Sequence, residues 1–272
     1  MSVAVSAQAI RTDEVGLSYG IVEPYRLKCT YQPVFARQGA MLSPVAVSSG
    51  IVIERAGEQV PLAILKGLTS ERHALCLSIG RRLAIRNLMH FSADDLFPDL
   101  MLKLTAEVEK PHAEIDALLT EAAAEGLVPS QICFDLSELA DIGLPAAMLH
   151  GVDMPFALDV ASASGLWAEH APSPRPRVVR LPSSWTRHIV GEAELVRGLR
   201  LLVTTLRRHG ALVQIEGIAN DAQLRAALSA GADRFQGDFL ACSARVGTDV
   251  DVSPRAFADL IGAHPNVVPL SA

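Results

Sequence analysis

Short apolar strands alternate with amphipathic helices along this chain, and that alternation limits its possible folds more than any other feature. The clearest helix runs from Glu192 to His209, and its leucines recur on one face: Leu195, Leu199, Leu202 and Leu206. Gly210 ends this helix, and ALVQIEG follows as a buried strand. Asn220 or Asp221 caps the next helix, DAQLRAALSA, which stops at Gly231 before the strand DRFQGDFL. Such an order is typical of parallel α/β folds.

The same alternation extends through the earlier part of the chain. Strands are predicted at LKCTYQPVF (27–35), MLSPVAVSSGIVI, DLMLKLT, QICFDLS, FALDV, RVVRL, ALVQIEG and DRFQGDFL. Further helices are predicted over 70–89, over 113–125 and, as a short one, over 254–262. Eight strands with five or six helices favour an α/β fold, a TIM-like (β/α)8 barrel, with an open doubly wound sheet as the alternative.

The chain reads as one domain with short extensions. The proline-rich stretch APSPRPR (171–177) is too short for a domain linker and is predicted to be a rigid loop. We therefore expect an N-terminal extension over 1–24, one domain over 25–248, and a C-terminal helix and tail over 249–272.

Composition excludes several classes of protein. The chain has 272 residues, of which 50% are hydrophobic, and a formal net charge of −6, so it is neither disordered nor an obvious nucleic-acid binder. It contains no apolar run of about 18 residues and no secretory leader, so we expect a cytoplasmic protein that does not span a membrane. Its four cysteines are far apart, which indicates reduced, mostly buried thiols and neither a disulfide nor a zinc site.

Charged and polar residues stand where the strands of such a barrel would end, and catalytic groups of barrels lie at those ends. They are Asp135, Asp159, Glu216 and Gln236, with two cations on two other strands, Lys103 and Arg180. These groups form either a reactive site or an ion-pair network, and chemistry alone favours the network. No nucleophile elbow, phosphate loop, dinucleotide fingerprint or zinc-protease motif is present.

The order of several short motifs resembles the EAL domains, which are bacterial cyclic di-GMP phosphodiesterases. The motifs are Tyr31-Gln32-Pro33-Val34, Ile215-Glu216-Gly217-Ile218 with Gln223 seven residues after the glutamate, Gly231-Ala232-Asp233, and Gln236-Gly237. The resemblance covers residues 25–246 and implies a modified TIM barrel of the EAL type. In that family, hydrolysis requires two divalent ions and a metal-activated water.

Most of the positions that hold these ions in the family are altered here. The name-giving glutamate corresponds to Val45 and a phosphate-contacting arginine to Ser49. An asparagine ligand becomes Lys103, and the second aspartate of the Asp-Asp-Phe-Gly motif becomes Val160. The family's lysine is Arg180, a guanidinium that does not give up its proton at working pH. Asp135, Asp159, Glu216 and Gln236 retain an acid or an amide.

These departures predict a chain that is not an enzyme and that uses no metal or other cofactor. Divalent ions need several oxygen ligands each, and Val45, Lys103 and Val160 supply none. As a hypothesis, the Lys103 ammonium replaces the metal and neutralises Asp135 and Asp159. The resemblance then implies a regulatory protein–protein interaction module in cyclic di-GMP-related signalling. The alternative is a metal-independent cyclic di-GMP receptor, and the remote alternative is an active phosphodiesterase.

The candidate contact residues differ between these functions, and the oligomeric state stays open. A bound cyclic di-GMP would meet the polar residues of the site: Gln32, Ser49, Lys103, Arg180 and Gln236. An unidentified regulatory protein would meet a basic helix face, and two are present: Arg81, Arg82 and Arg86, or Arg200, Arg207, Arg208 and His209. Charge clusters on helices are usually only the solvated face, and that explanation is favoured for both. Trp167 and Trp185 are candidate interface anchors, although we expect Trp185 to be buried behind its strand.

Overall fold

Eight strands close into a barrel in the computed structural model, which describes residues 8–90, 99–141, 154–163, 175–188, 192–248 and 251–261. The barrel strands run in the order β3-β11-β10-β9-β8-β7-β6-β4, and pairing of β3 with β4 closes the ring. β3 is antiparallel to both of its barrel neighbours, whereas the other barrel strands pair in parallel. The predicted modified TIM-like barrel is confirmed, and the open doubly wound sheet is wrong.

The bounds of the strands are β1 Ile10–Thr12, β2 Ser18–Val22, β3 Tyr25–Gln38, β4 Met41–Arg55, β5 Glu58–Val60, β6 Asp99–Lys103, β7 Ile132–Asp135, β8 Phe156–Asp159, β9 Val178–Leu181, β10 Leu212–Ile215, β11 Arg234–Phe235, β12 Ala244–Arg245 and β13 Arg255–Ala256. The helices are α1 Ser70–Arg86, α2 Pro111–Ala124, α3 Ser137–Asp141, α4 Val160–Ala163, α5 Ser183–Thr186, α6 Ala193–Arg208, α7 Asp221–Ala230 and α8 Phe257–Ile261. Short 3-10 turns occupy Leu62–Gly67, Leu88–His90 and Pro129–Gln131.

The helix signals in the sequence are confirmed at both ends of α7. The Asn220 side chain accepts a hydrogen bond from the Gln223 amide, and Gly231 ends the helix with φ +82°. In α6, Leu199 and Leu206 face the core with Val203, but Leu195 remains 43% exposed. The four leucines therefore differ in burial, since Leu195 in the first turn of α6 is exposed while Leu199 and Leu206 are buried.

The N-terminal residues add two strands that the sequence analysis did not predict. β1 pairs with β2, and β2 pairs with β3, and both pairs are antiparallel. Ile10 and Val22 are buried in the core, so part of the predicted extension packs against the barrel sheet.

Side chains inside the barrel form a small apolar layer that is separate from the larger core under the helices. One residue from each of six strands contributes to it: Val34, Ala46, Met101, Cys133, Ala157 and Val178. Because side chains alternate along a strand, the residue two positions further toward the carboxyl end of each parallel strand faces the barrel mouth. This layer therefore acts as the floor of the mouth.

The burial of the cysteines and the apolar character of the helices can be read from the structure. Cys29, Cys76 and Cys133 are buried and Cys242 is exposed, and all four are free. Among the described residues, no helix combines the length and the apolar character needed to cross a membrane.

Candidate functional site

Arg180 lies at the centre of the barrel mouth and contacts three carboxylates. Its Nη2 atom is 2.7 Å from Asp135 Oδ2 and 2.8 Å from Asp159 Oδ1, and its Nη1 atom is 3.2 Å from Glu216 Oε1. The Arg180 side chain is only 12% exposed and that of Asp135 2%. Asp135 and Asp159 are the last residues of β7 and β8, and Glu216 directly follows β10. Arg180 comes from β9, which lies between β8 and β10.

Ser137 fixes the position of two of these acids. Its hydroxyl donates to Asp135 Oδ1 at 2.6 Å, and its amide donates to the same oxygen at 3.1 Å. The Ser137 hydroxyl also accepts a hydrogen bond from the Asp159 amide at 2.8 Å. The Asp135 carboxylate is thus held by two donors from one residue while it faces Arg180.

The charges of the cluster shift two pKa values. Burial lowers the pKa of Arg180, but the nearby carboxylates outweigh it, and the net pKa lies above the ordinary arginine value. Burial raises the pKa of Glu216, and the Arg180 charge offsets this effect only in part. Arg180 therefore stays charged, and the net pKa of Glu216 lies above the ordinary glutamate value.

Three glutamines form a hydrogen-bonded chain beside the cluster. Gln214 Nε2 donates to Gln236 Oε1 at 3.0 Å, and Gln236 Nε2 donates to Gln32 Oε1 at 2.9 Å. Gln32 Nε2 in turn donates to Asp238 Oδ1 at 3.0 Å. The sequence analysis singled out Gln32 and Gln236 but missed Gln214, although its place two residues before Glu216 on β10 predicts the same orientation.

Lys103 does not take the part that the sequence analysis assigned to it. Its Nζ atom is 2.7 Å from Glu138 Oε1, and both side chains are exposed, by 51% and 40%. Partial burial lowers the pKa of Lys103, but the hydrogen bond and the charge of Glu138 outweigh it and the net pKa is raised. The hypothesis that Lys103 replaces a metal and neutralises Asp135 and Asp159 is wrong, because Arg180 reaches both and Lys103 lies at the rim.

Val45, Ser49 and Val160 are not brought into the cluster. The pairing of β3 with β4 shifts register between Val34 and Phe35, so that Ala46 lies opposite Val34 and Val45 has no partner. Ser49 donates its hydroxyl to the Met101 carbonyl at 3.0 Å. Val160 begins α4 and packs against the main core.

A cavity of about 320 Å³ opens beside Arg180 and Glu216 at the barrel mouth. Ser48, rather than Ser49, lines it on the β4 side, with Gln32 and Gln236 opposite. Gly217 also lines it with φ +71°, where an added Cβ would lie 2.3 Å from the Ser183 Cβ. The tight packing at this glycine holds the strand end beside α5.

The carboxylates described at the barrel mouth are not arranged to coordinate a divalent ion. A metal requires open carboxylate oxygens, yet the guanidinium of Arg180 lies within 3.2 Å of an oxygen of each of the three acids. Within the described ranges, no group of three or more His, Cys, Asp or Glu residues is arranged to hold a metal ion. The cluster is arranged as an ion-pair network centred on arginine.

The two predicted basic faces differ in accessibility. Arg81 and Arg82 are buried and pair with Glu114 and Glu121, and Arg86 pairs with Glu121 as well. The expectation that these three arginines form a partner surface is therefore wrong for the first two, since they join α1 to α2.

Arg200 and Arg207 of the second basic face are exposed, and so is Trp185. Arg200 donates to the Ser229 carbonyl, Arg207 pairs with Asp233 at 3.3 Å, and both keep exposed side chains. Trp185 is 44% exposed, so the expectation of a buried side chain is wrong. It sits on the short helix α5 rather than behind the strand β9. Trp167 lies outside the described residues.

Fold and cluster together define a modified (β/α)8 barrel with polar groups at its mouth. A model of the EAL domain family matches residues 20–243, and the chain belongs to that family. No curated protein sequence matches the chain.

Solved structures of EAL domains share the fold. The EAL domain of Xanthomonas citri FimX in complex with c-diGMP superposes with a TM-score of 0.65 at 20% identity, over 84% of this chain and 91% of that one. Klebsiella pneumoniae BlrP1 in its manganese and cyclic diGMP complex superposes with a TM-score of 0.66 at 17% identity, over 86% of this chain and 59% of that one. A standalone EAL protein from Vibrio cholerae O395 in its c-di-GMP-bound form superposes with a TM-score of 0.63 at 13% identity, over 80% of this chain and 92% of that one.

Proposed function

We propose that this chain is a catalytically inactive EAL-domain protein that acts as a regulatory protein–protein interaction module in bacterial cyclic di-GMP-related signalling. One observation carries the proposal: Arg180 fills the position among Asp135, Asp159 and Glu216 that a catalytic metal would need. Without a divalent ion, nothing in the cluster lowers the pKa of a water molecule enough to attack a phosphodiester. An arginine is also unsuited to act as a base.

The electrostatics of the mouth favour an interaction module over a nucleotide receptor. Five carboxylates and two cations have been identified there: Asp135, Glu138, Asp159, Glu216 and Asp238, with Lys103 and Arg180. Both cations already pair with carboxylates, and Ser49 offers no charge. A cyclic dinucleotide carries two phosphates, which this net negative mouth would repel.

A metal-independent receptor for cyclic di-GMP is the second candidate. The observation that favours it is the fold shared with the FimX EAL domain, which was solved in complex with c-diGMP. The polar contacts available to such a ligand are Gln32, Ser48, Arg180 and Gln236. To bind there, the ligand would need to take Arg180 away from at least one of its three acids.

Two assays on the purified full chain separate these functions. Hydrolysis of cyclic di-GMP is followed with Mg²⁺ and with Mn²⁺, and binding of cyclic di-GMP is followed by calorimetry in the presence and absence of the same ions. The interaction module predicts neither hydrolysis nor saturable binding under any of these conditions. Saturable binding without hydrolysis would support the receptor, and metal-dependent hydrolysis would refute both.

A further inference from the structure

Exposed apolar side chains concentrate on the face formed by α5 and α6. Among the described residues, eight large hydrophobic side chains are exposed, and three of them lie here: Trp185, Leu195 and Leu201, with exposed fractions of 44%, 43% and 71%. A groove of about 360 Å³ runs between Trp185 and His188 on one side and Leu195 and Leu199 on the other. Isolated exposed leucines need no explanation, but a tryptophan beside an apolar groove is typical of an interface.

Gly198 forms the floor of this groove in the middle of α6. Glycine destabilises a helix interior, so its presence needs a reason in the fold or outside it. The fold supplies none, because a Cβ added at Gly198 would meet nothing within 4 Å. Leu195, Gly198 and Leu201 follow one another at three-residue spacing along an exposed strip. The missing side chain leaves room for another chain to approach the α6 backbone closely.

Three arginines belong to this face, two on α6 and one directly after α5. Arg197 and Arg208 stand four residues before and seven residues after Leu201, on the same side of the helix, and Arg187 follows α5. Arg187 and Arg208 are exposed and have no carboxylate partner among the described residues. Arg197 pairs only with the exposed Glu194, and such a pair contributes little. This side of the strip therefore attracts negative charge.

We propose that the α5–α6 face binds an amphipathic helix of a partner protein, with an apolar stripe over Gly198 and carboxylates toward Arg187, Arg197 and Arg208. The apolar stripe packs between Trp185 and Leu201, in the manner of a helix bound in a groove. The carboxylates supply the charge complementarity that orients the partner. The inference rests on the proposed function, since it names the surface through which an interaction module would act.

The test uses two synthetic peptides that differ only in charge. One carries leucine at i, i+3, i+4 and i+7 with glutamate at the flanking positions, and the other carries lysine in place of every glutamate. The chain has two tryptophans, so Trp167→Phe leaves Trp185 as the only one, and its fluorescence reports burial of the groove. We expect the glutamate peptide to shift Trp185 emission to shorter wavelength and to bind at least about tenfold more tightly than the lysine peptide, with weaker binding at high salt.

Gly198→Gln is the decisive variant because it fills the groove without a clash in the fold. It should weaken the glutamate peptide at least about tenfold while the unfolding midpoint stays equal or rises, since glutamine is the better helix former. Leu62→Gln is the matched control, because Leu62 is 51% exposed at a distant turn, and it should leave binding unchanged.

Several results would overturn the inference. They are the absence of binding by the glutamate peptide, equal binding of both peptides, or unchanged binding in Gly198→Gln. Sedimentation that shows a dimer of the unliganded chain, dissociated by Gly198→Gln, would assign the face to a second copy and also refute it. Failure of the peptide test leaves the conclusion about catalysis untouched, whereas hydrolysis of cyclic di-GMP would refute the proposed function without affecting peptide binding.

Discussion

Replacing Arg180 with methionine should destabilise the fold strongly at neutral pH. The change keeps much of the side-chain volume but leaves Asp135, Asp159 and Glu216 without the cation that lies within 3.2 Å of each. Removing one partner of a buried ion pair costs about 3–5 kcal/mol, because the remaining charge stays buried. Asp159 and Glu216 keep side-chain exposures of 32% and 24%, so we expect a loss near the lower end, about 3 kcal/mol.

The loss should depend on pH in a defined direction. Without the guanidinium, burial is no longer offset at Glu216, and the folded-state pKa of this carboxyl rises further above its unfolded value. The penalty is then fully present above the folded-state pKa and is relieved as the pH falls through it. The gap between Arg180→Met and the natural chain should therefore be largest at neutral pH and smaller near about pH 5.

Urea unfolding followed by circular dichroism measures both effects, with Lys103→Met as the control. Lys103 and Glu138 are 51% and 40% exposed, so that variant should lose no more than about 0.5 kcal/mol. Equal losses in the two variants, or a loss in Arg180→Met that does not shrink at lower pH, would refute the assignment of Arg180 as the neutralising cation.

Three further predictions follow from the same geometry. Because burial raises the pKa of Glu216, Glu216→Gln should raise the unfolding free energy at neutral pH, and the gain should vanish in urea titrations below the ordinary glutamate pKa; a loss at neutral pH would contradict this. Gly217→Ala should lower the thermal midpoint, since its Cβ would lie 2.3 Å from the Ser183 Cβ at φ +71°, and an unchanged midpoint would contradict the packing. Under native conditions a thiol reagent should label only the exposed Cys242, because burial raises the pKa of Cys133 to about 12; rapid labelling of more than one thiol would argue against this fold.

The barrel was predictable because its strands and helices alternate with clear end signals. Asn220 and Gly231 bound α7 as expected, since capping depends on local chemistry alone. The alternation of side chains along each strand likewise placed Asp135, Asp159 and Glu216 at one mouth. The extra strands β1 and β2 were missed because pairing to the edge of β3 depends on tertiary contacts and leaves only a weak local pattern.

Which residues belong to the site was easier to predict than which of them pair with each other. Spacing places Lys103 and Arg180 at the carboxyl ends of two different barrel strands, but it does not reveal which cation reaches which acid. The shift of register between Val34 and Phe35 is equally hidden, and it turns Ala46 and Ser48 inward in place of Val45 and Ser49. A single extra residue in β4, which forms a β-bulge, therefore decides which side chains line the cavity.

Calorimetric titration with Mn²⁺, on the natural chain and on Arg180→Ala, tests most directly the claim that an arginine stands where a metal would bind. We predict no saturable binding by the natural chain. We predict saturable binding by Arg180→Ala, in which Asp135, Asp159 and Glu216 are left to ligate the ion. Stoichiometric binding of Mn²⁺ by the natural chain, or the absence of binding by Arg180→Ala, would contradict the account.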